Sequence, residues 1–314
     1  MLQLILKRLA VAIPTVIIVS MLVFGLQKIL PGDPALMLAG EERDPAVIEF
    51  LREKYRLDDP IPVQYLAWIA NVAGGDFGKS LRTDVPVRTL IVQKLPVTIQ
   101  LAVMAMLVAI LIGVPTGIIS AVKKGSFTDY AANVVALSGL SIPNFWLGLL
   151  MIFLVSVQLG WLPASGYVPP GEDFWLSIKT MLMPAFVLGT GLAATLMRHT
   201  RSAMIGVLQS DYIRTARAKG LRQNAVVYKH ALRNALVPLV TLLALLFGEL
   251  LGGAVLTEQI FSIPGFGKLT VDAVFNRDYA VVQGIVLCTA IGFIAMNLVA
   301  DVVYILINPR LRGA

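Results

Sequence analysis

The sequence predicts an all-α membrane protein with six transmembrane helices and both termini on the cytoplasmic side. Three observations carry this prediction. Hydrophobic residues make up 57% of the 314 and charged residues only 14%, against about 25% charged in a soluble globular protein. So little polar surface cannot cover a water-soluble fold of this length. The deficit is also concentrated: several runs of about twenty residues lack charge, which is the length that crosses roughly 30 Å of hydrocarbon. Finally, the segments between those runs alternate in charge, and that alternation sets the orientation.

The first uncharged run, residues 9–26 and extendable to Leu30, follows Lys7 and Arg8. A cleaved signal peptide would have a shorter apolar core, about 7–15 residues, ending at a small-residue site. This run ends instead at Leu30-Pro31-Gly32-Asp33-Pro34, so residues 1–30 are expected to form an uncleaved first helix. Residues 31–94 are the most polar part and read as an extracytoplasmic segment. Within it, residues 41–56 suggest an amphipathic helix with Ile48, Leu51 and Tyr55 on one face. Residues 62–73 suggest a second short helix, followed by the turn-rich Gly74-Gly75-Asp76-Phe77-Gly78. The remaining spans are expected at 97–122, about 133–159, 180–197, 235–257 and 280–307, within a core domain of residues 95–308. Residues 309–314 are left as a cytoplasmic tail.

Lysine and arginine in the loops orient the spans. With the N-terminus inside, the cytoplasmic segments hold 14 basic residues and only two acids, Asp129 and Asp211. The outer segments hold 12 basic residues and 15 acidic ones. The net charge of +7 is thereby explained by topology and points to membrane lipid, with no nucleic-acid partner. Cys288 is the single cysteine, so no intrachain disulfide is available, and His199 and His230 lack the spacing of a metal site. Gly78-Lys79-Ser80 superficially suggests a phosphate loop. That motif needs a glycine five positions before Gly78, where this chain has Ala73.

The longest inner loop, residues 199–234, reads as helix, turn, helix: 202–219, Gly220 as stop, then 223–236. Its middle is Asp211-Tyr212-Ile213-Arg214-Thr215-Ala216-Arg217-Ala218-Lys219-Gly220. A basic loop that only fixes topology and touches anionic lipid is the plainer reading. The small residues Ala216 and Ala218 suit a short helix docking into a groove on another protein, with Ala216 leaving room for close approach. Gly113-Val114-Pro115-Thr116-Gly117 and Gly248-Glu249-Leu250-Leu251-Gly252 place glycines four apart, which allows close helix contact.

This loop resembles the EAA-type coupling loop of ABC importer permeases, in the version found in dipeptide, oligopeptide, glutathione and nickel permeases. The resemblance covers nearly the whole chain. It also rests on Leu30 to Pro34 as quoted, on Gly75-Asp76-Phe77-Gly78, and on Glu258 with Ile260-Phe261 and Pro264-Gly265. Arg277-Asp278-Tyr279 and Asn308-Pro309-Arg310 complete it. At the Glu-Ala-Ala positions this chain has Arg214-Thr215-Ala216, and Asp211 stands in for the acid as in the peptide branch. The resemblance implies a type I ABC importer permease fold in a bacterial inner membrane, spanning it several times. It implies residues 211–220 as the ATPase-coupling segment and, as partners, a homologous second permease, cytoplasmic ATPase subunits and an extracytoplasmic solute-binding protein. ATP and Mg would be bound by the ATPase chains, with no catalytic residue, metal or cofactor in this one.

Short peptides are the expected cargo. Nickel is the nearest alternative, because Phe145-Trp146-Leu147 and Gly248-Glu249-Leu250 look like the nickel branch; glutathione comes next. A secondary transporter would show two related halves, and no internal repeat is present. Ionisable residues within spans are costly and by default suggest function. Glu249, mid-span, is expected to face the bundle interior, where it either lines the translocation pathway with Asn144 or makes a structural hydrogen bond. Asp301 lies near Arg310 and Arg312, and structural pairing is expected there. Trp146, Trp161 and Trp175 read as interface anchors or packing residues.

Overall fold

The structure is a computed structural model that describes residues 2–29, 35, 44–54 and 56–307. Leu30 to Pro34, Asn308 to Arg310 and the tail at 309–314 lie outside these, as do the Arg310 and Arg312 partners expected for Asp301. Helices follow one another as α1 (Leu2–Ile29), α2 (Pro45–Lys54), α3 (Ile61–Ala73), α4 (Val87–Val122), α5 (Phe127–Ser141) and α6 (Asn144–Met151). They continue as α7 (Phe174–Leu208), α8 (Asp211–Ala218), α9 (Leu232–Gly253), α10 (Val255–Ile260), α11 (Phe266–Phe275) and α12 (Tyr279–Ile307). π-helical turns at Ile152–Gln158 and Ala225–Ala231 extend α6 and lead into α9. Among the described residues the only extended pairing is an isolated bridge between Lys79 and Pro86.

Four helical stretches are long and apolar enough to cross a membrane: Val87–Val122, Phe174–Leu208, Ala225–Gly252 and Tyr279–Val303. α5 and α6 with its π-helical extension, bent by 94° to one another, make a fifth if the pair is counted as one broken span. The apolar stretch of α1 described here, Ala10–Gly25, is shorter. The bend corrects the continuous helix expected at 133–159. Pro143 disfavours helical backbone at the residue before it, and Ile142 is extended, with φ −76° and ψ 121°. Pro96, Pro115, Pro184 and Pro238 by contrast sit inside unbroken helices.

The chain divides into two compact units. One comprises residues 2–95 and 269–292. In it α1 meets α3 through a 2.8 Å hydrogen bond between Ser20 and Tyr65, and Phe24 packs on Tyr65 and Trp68. Buried Asp278, just before α12, accepts hydrogen bonds from the Ser80 hydroxyl and the Leu81 amide. These tie the Gly75-to-Ser80 segment to the Arg277-Asp278-Tyr279 motif.

The other unit comprises residues 96–268 and those from 293 onward. At its centre α4 crosses α7 at close range. A Cβ on Gly113 would lie 2.7 Å from the Ala193 carbonyl, one on Gly117 2.7 Å from the Met197 carbonyl, and one on Gly189 2.7 Å from Val108. Only glycine permits that approach. Of the second glycine pair, Gly248 packs against Phe293 while Gly252 is exposed.

Candidate functional site

The expected coupling segment is built differently from its sequence reading. The helix expected at 202–219 is interrupted at Gln209 and Ser210, so α8 is a separate two-turn helix of eight residues, Asp211–Ala218. Serine at position 210 competes for backbone hydrogen bonds, and its hydroxyl donates to the Val207 carbonyl at 2.6 Å, ending α7. Ile213 and Ala216, three apart on one face, are buried against Ile118, Ala121, Met204, Val226 and Val227. Ala216 is therefore turned into this chain's own core, which corrects the expectation that it leaves room for a partner. Asp211, Tyr212, Arg214, Thr215, Arg217, Ala218, Lys219 and Gly220 remain exposed.

Two features hold α8 in place. Tyr212 accepts a 2.7 Å hydrogen bond from the Asn234 amide and donates to the His230 carbonyl, stapling α8 to the helix that follows. Gly220 adopts φ +74°, the left-handed region that favours glycine, and reverses the chain. Asp211 and Arg214 make a 3.4 Å ion pair with both side chains exposed, of little energetic weight.

Glu249 and Asn144 come together. Both line a cavity of about 280 Å³ formed also by Gly139, Gly191, Leu192 and Thr195. Glu249 is exposed on the surface of the isolated chain, between buried Gly248 and Leu250. It opens into this inter-helix cavity, and it lies one turn before the end of α9. Neither side chain has a hydrogen-bond partner among the described residues. Trp146, Trp161 and Trp175 are exposed.

Two polar centres were given no site role from sequence. Asp129, 3% exposed, receives a two-pronged bond from Arg201: Nε to Oδ1 and Nη2 to Oδ2, each 2.8 Å. The Ser120 hydroxyl, the Gly125 amide and the Asn133 amide donate to the same carboxylate. The signal available was a lone acid opening a helix on an otherwise basic face. The second centre is Glu258, fully buried. It accepts from the Thr98 hydroxyl at 2.6 Å and the Lys268 amide at 2.8 Å, while Thr98 accepts from the Phe266 amide at 2.7 Å. Glu258 thus satisfies free N–H groups in the first turn of α11. Burial nonetheless pushes its carboxyl above the usual carboxylate range, against the opposing pull of those donors.

The family described as "Binding-protein-dependent transport system inner membrane component" matches residues 113–313. The corresponding N-terminal family of these membrane components matches residues 1–102. The chain is 42% identical over 311 residues to the oligopeptide transport system permease protein AppB of Bacillus subtilis (strain 168), covering 98% of each. It is 44% identical over 312 residues to the glutathione transport system permease protein GsiC of Escherichia coli (strain K12), covering 99% of each. Its fold resembles that of the MetNI methionine ABC transporter in an inward-facing conformation. The TM-score is 0.57 at 18% identity, over 70% of this chain and 96% of that one. The end-to-end match, the helical spans and this fold agree: the chain belongs to the binding-protein-dependent transport system inner membrane components, as a multi-pass permease subunit with a type I ABC importer fold.

Proposed function

We propose that this permease forms half of the transmembrane pathway of an ATP-driven importer of short peptides. The observation that carries the cargo class is the similarity, along almost the full length, to permeases whose names specify oligopeptide and glutathione. Glutathione is itself a tripeptide. The importer is completed by a homologous second permease, cytoplasmic ATPase subunits that bind ATP and Mg, and an extracytoplasmic solute-binding protein. In this assembly both termini and residues 199–234 face the cytoplasm, and residues 31–94 face outward. The exposed side of α8, with Arg214, Arg217 and Lys219, docks into an ATPase groove, and Ile213 and Ala216 anchor it to the permease.

Glu249 and Asn144 line the pathway. A carboxylate within a span, without a partner among the described residues, is costly against lipid and tolerable facing water, cargo or the second permease. Reconstitution with all partners tests the reading, by measuring ATP-driven uptake of di-, tri- and oligopeptides, glutathione and nickel. Peptide uptake supports it, and uptake of nickel alone overturns it. In the same vesicles Glu249→Gln is expected to cut uptake while assembly and basal ATP hydrolysis stay near the wild-type level. Loss of assembly instead assigns Glu249 a structural role.

A further inference from the structure

The Asp129 network lies where three helices meet. Ser120 comes from α4, Asp129 and Asn133 from α5, and Arg201 from α7. Ser120 stands between Ile118 and Ala121, and Arg201 lies one turn before Met204. Those three apolar residues form the bed on which Ile213 and Ala216 of α8 rest. A displacement of α8 therefore bears directly on the ends of α4 and α7.

No residue of α5 belongs to that apolar bed. Two other attachments join α5 to α7. One is a seam of small contacts, Ala132 and Ala136 against Ala194 and Met197. The other is the Arg201 fork on Asp129. Small apolar contacts tolerate sliding, whereas a two-pronged guanidinium–carboxylate bond fixes register and direction. The carboxylate half of the fork is buried, Asp129 being 3% exposed, while Arg201 is partly exposed. At its far end α5 runs into the break at Ile142 and Pro143, beyond which Asn144 borders the same cavity as Glu249.

We infer that Arg201 and Asp129 are positioning residues that make α5, and with it the Asn144 side of the cavity, follow the coupling helix. This rests on the proposed importer function. ATPase movement acts on α8, passes through the apolar bed to α4 and α7, and is carried across to α5 by the fork. Packing alone would hold α5 in the bundle. The fork makes it move in register.

The test is the complete importer in vesicles, measuring uptake and ATP hydrolysis together for Asp129→Asn and Arg201→Lys. Asp129→Asn keeps the shape and removes the charge; Arg201→Lys keeps the charge and removes the fork. The expected result is ATP hydrolysis still stimulated by loaded binding protein, with uptake per ATP reduced about fivefold or more. Arg201→Lys is expected to lie between wild type and Asp129→Asn. A wild-type ratio in either assembled variant overturns the inference, as does a proportional fall of both activities, the mark of a merely structural role. If Asp129→Asn does not assemble, Arg201→Lys decides by the same ratio. Absence of peptide uptake by the wild-type importer is a separate result that removes the proposed function instead.

Discussion

Glu258 illustrates how one side chain can hold a corner. Its carboxylate reaches the first turn of α11, and a Cβ at Gly265 would lie 2.4 Å from that carboxylate and displace it. Glu258→Ala leaves the Thr98 hydroxyl and the Lys268 amide without their acceptor, a loss of about 1–3 kcal/mol in stability. Thermal unfolding of the purified permease in detergent measures it. The pH dependence has a defined sign. A carboxyl whose pKa is raised by folding binds its proton more tightly in the fold than in the unfolded chain. Its contribution is therefore complete at acid pH and is lost as pH rises through and above the carboxylate range. Wild type is expected to show that slope and Glu258→Gln to lack it. The residue was visible in the sequence as part of a motif, but its role was not, because Thr98 lies 160 positions away.

At the scale of the element, α8 separates anchoring from docking. Ala216→Trp would overpack the chain's own buried cluster, at about 1–3 kcal/mol, and so cannot report cleanly on a partner. The informative changes are on the exposed face. Arg214→Glu combined with Arg217→Glu is expected to leave insertion and stability unchanged while abolishing co-purification of the ATPase subunits; retained co-purification sinks the docking role of α8. Gly220→Val addresses the turn alone. A Cβ at Gly220 meets nothing within 4 Å, so the cost is that of the left-handed backbone, about 1–2 kcal/mol, and unfolding measurements check it. The amphipathic character of the loop was legible as alternating small and basic residues. Which face turned inward was not, because that depends on Ile118, Met204 and Val226 being assembled beneath it.

For the whole molecule, the charge bias predicts that cysteines at Glu53 and Lys79 react with an impermeant reagent on intact cells. One at Arg222 should react only after permeabilisation. Labelling of Arg222 from outside overturns the orientation. The bias is a property of short loops and needs no tertiary structure. The glycines packed at the α4–α7 crossing were also readable in part: Gly113 and Gly117 stood out by spacing, whereas Gly189, on the opposing helix, did not.

The sequence by itself determined that the chain spans a membrane, where its uncharged runs lie, which loops are basic and where Gly220 ends a helix. These follow from properties of neighbouring residues: apolar length against bilayer thickness and the freedom of glycine. Tertiary structure alone decided the partners of the buried charges. Ser80 with Asp278 and Arg201 with Asp129 are separated by 198 and 72 positions. It also decided that Glu249 opens into a cavity between helices while Ala216 enters the chain's own core. A buried charge is stable only with its partner in place, and that partner is chosen by how the helices pack.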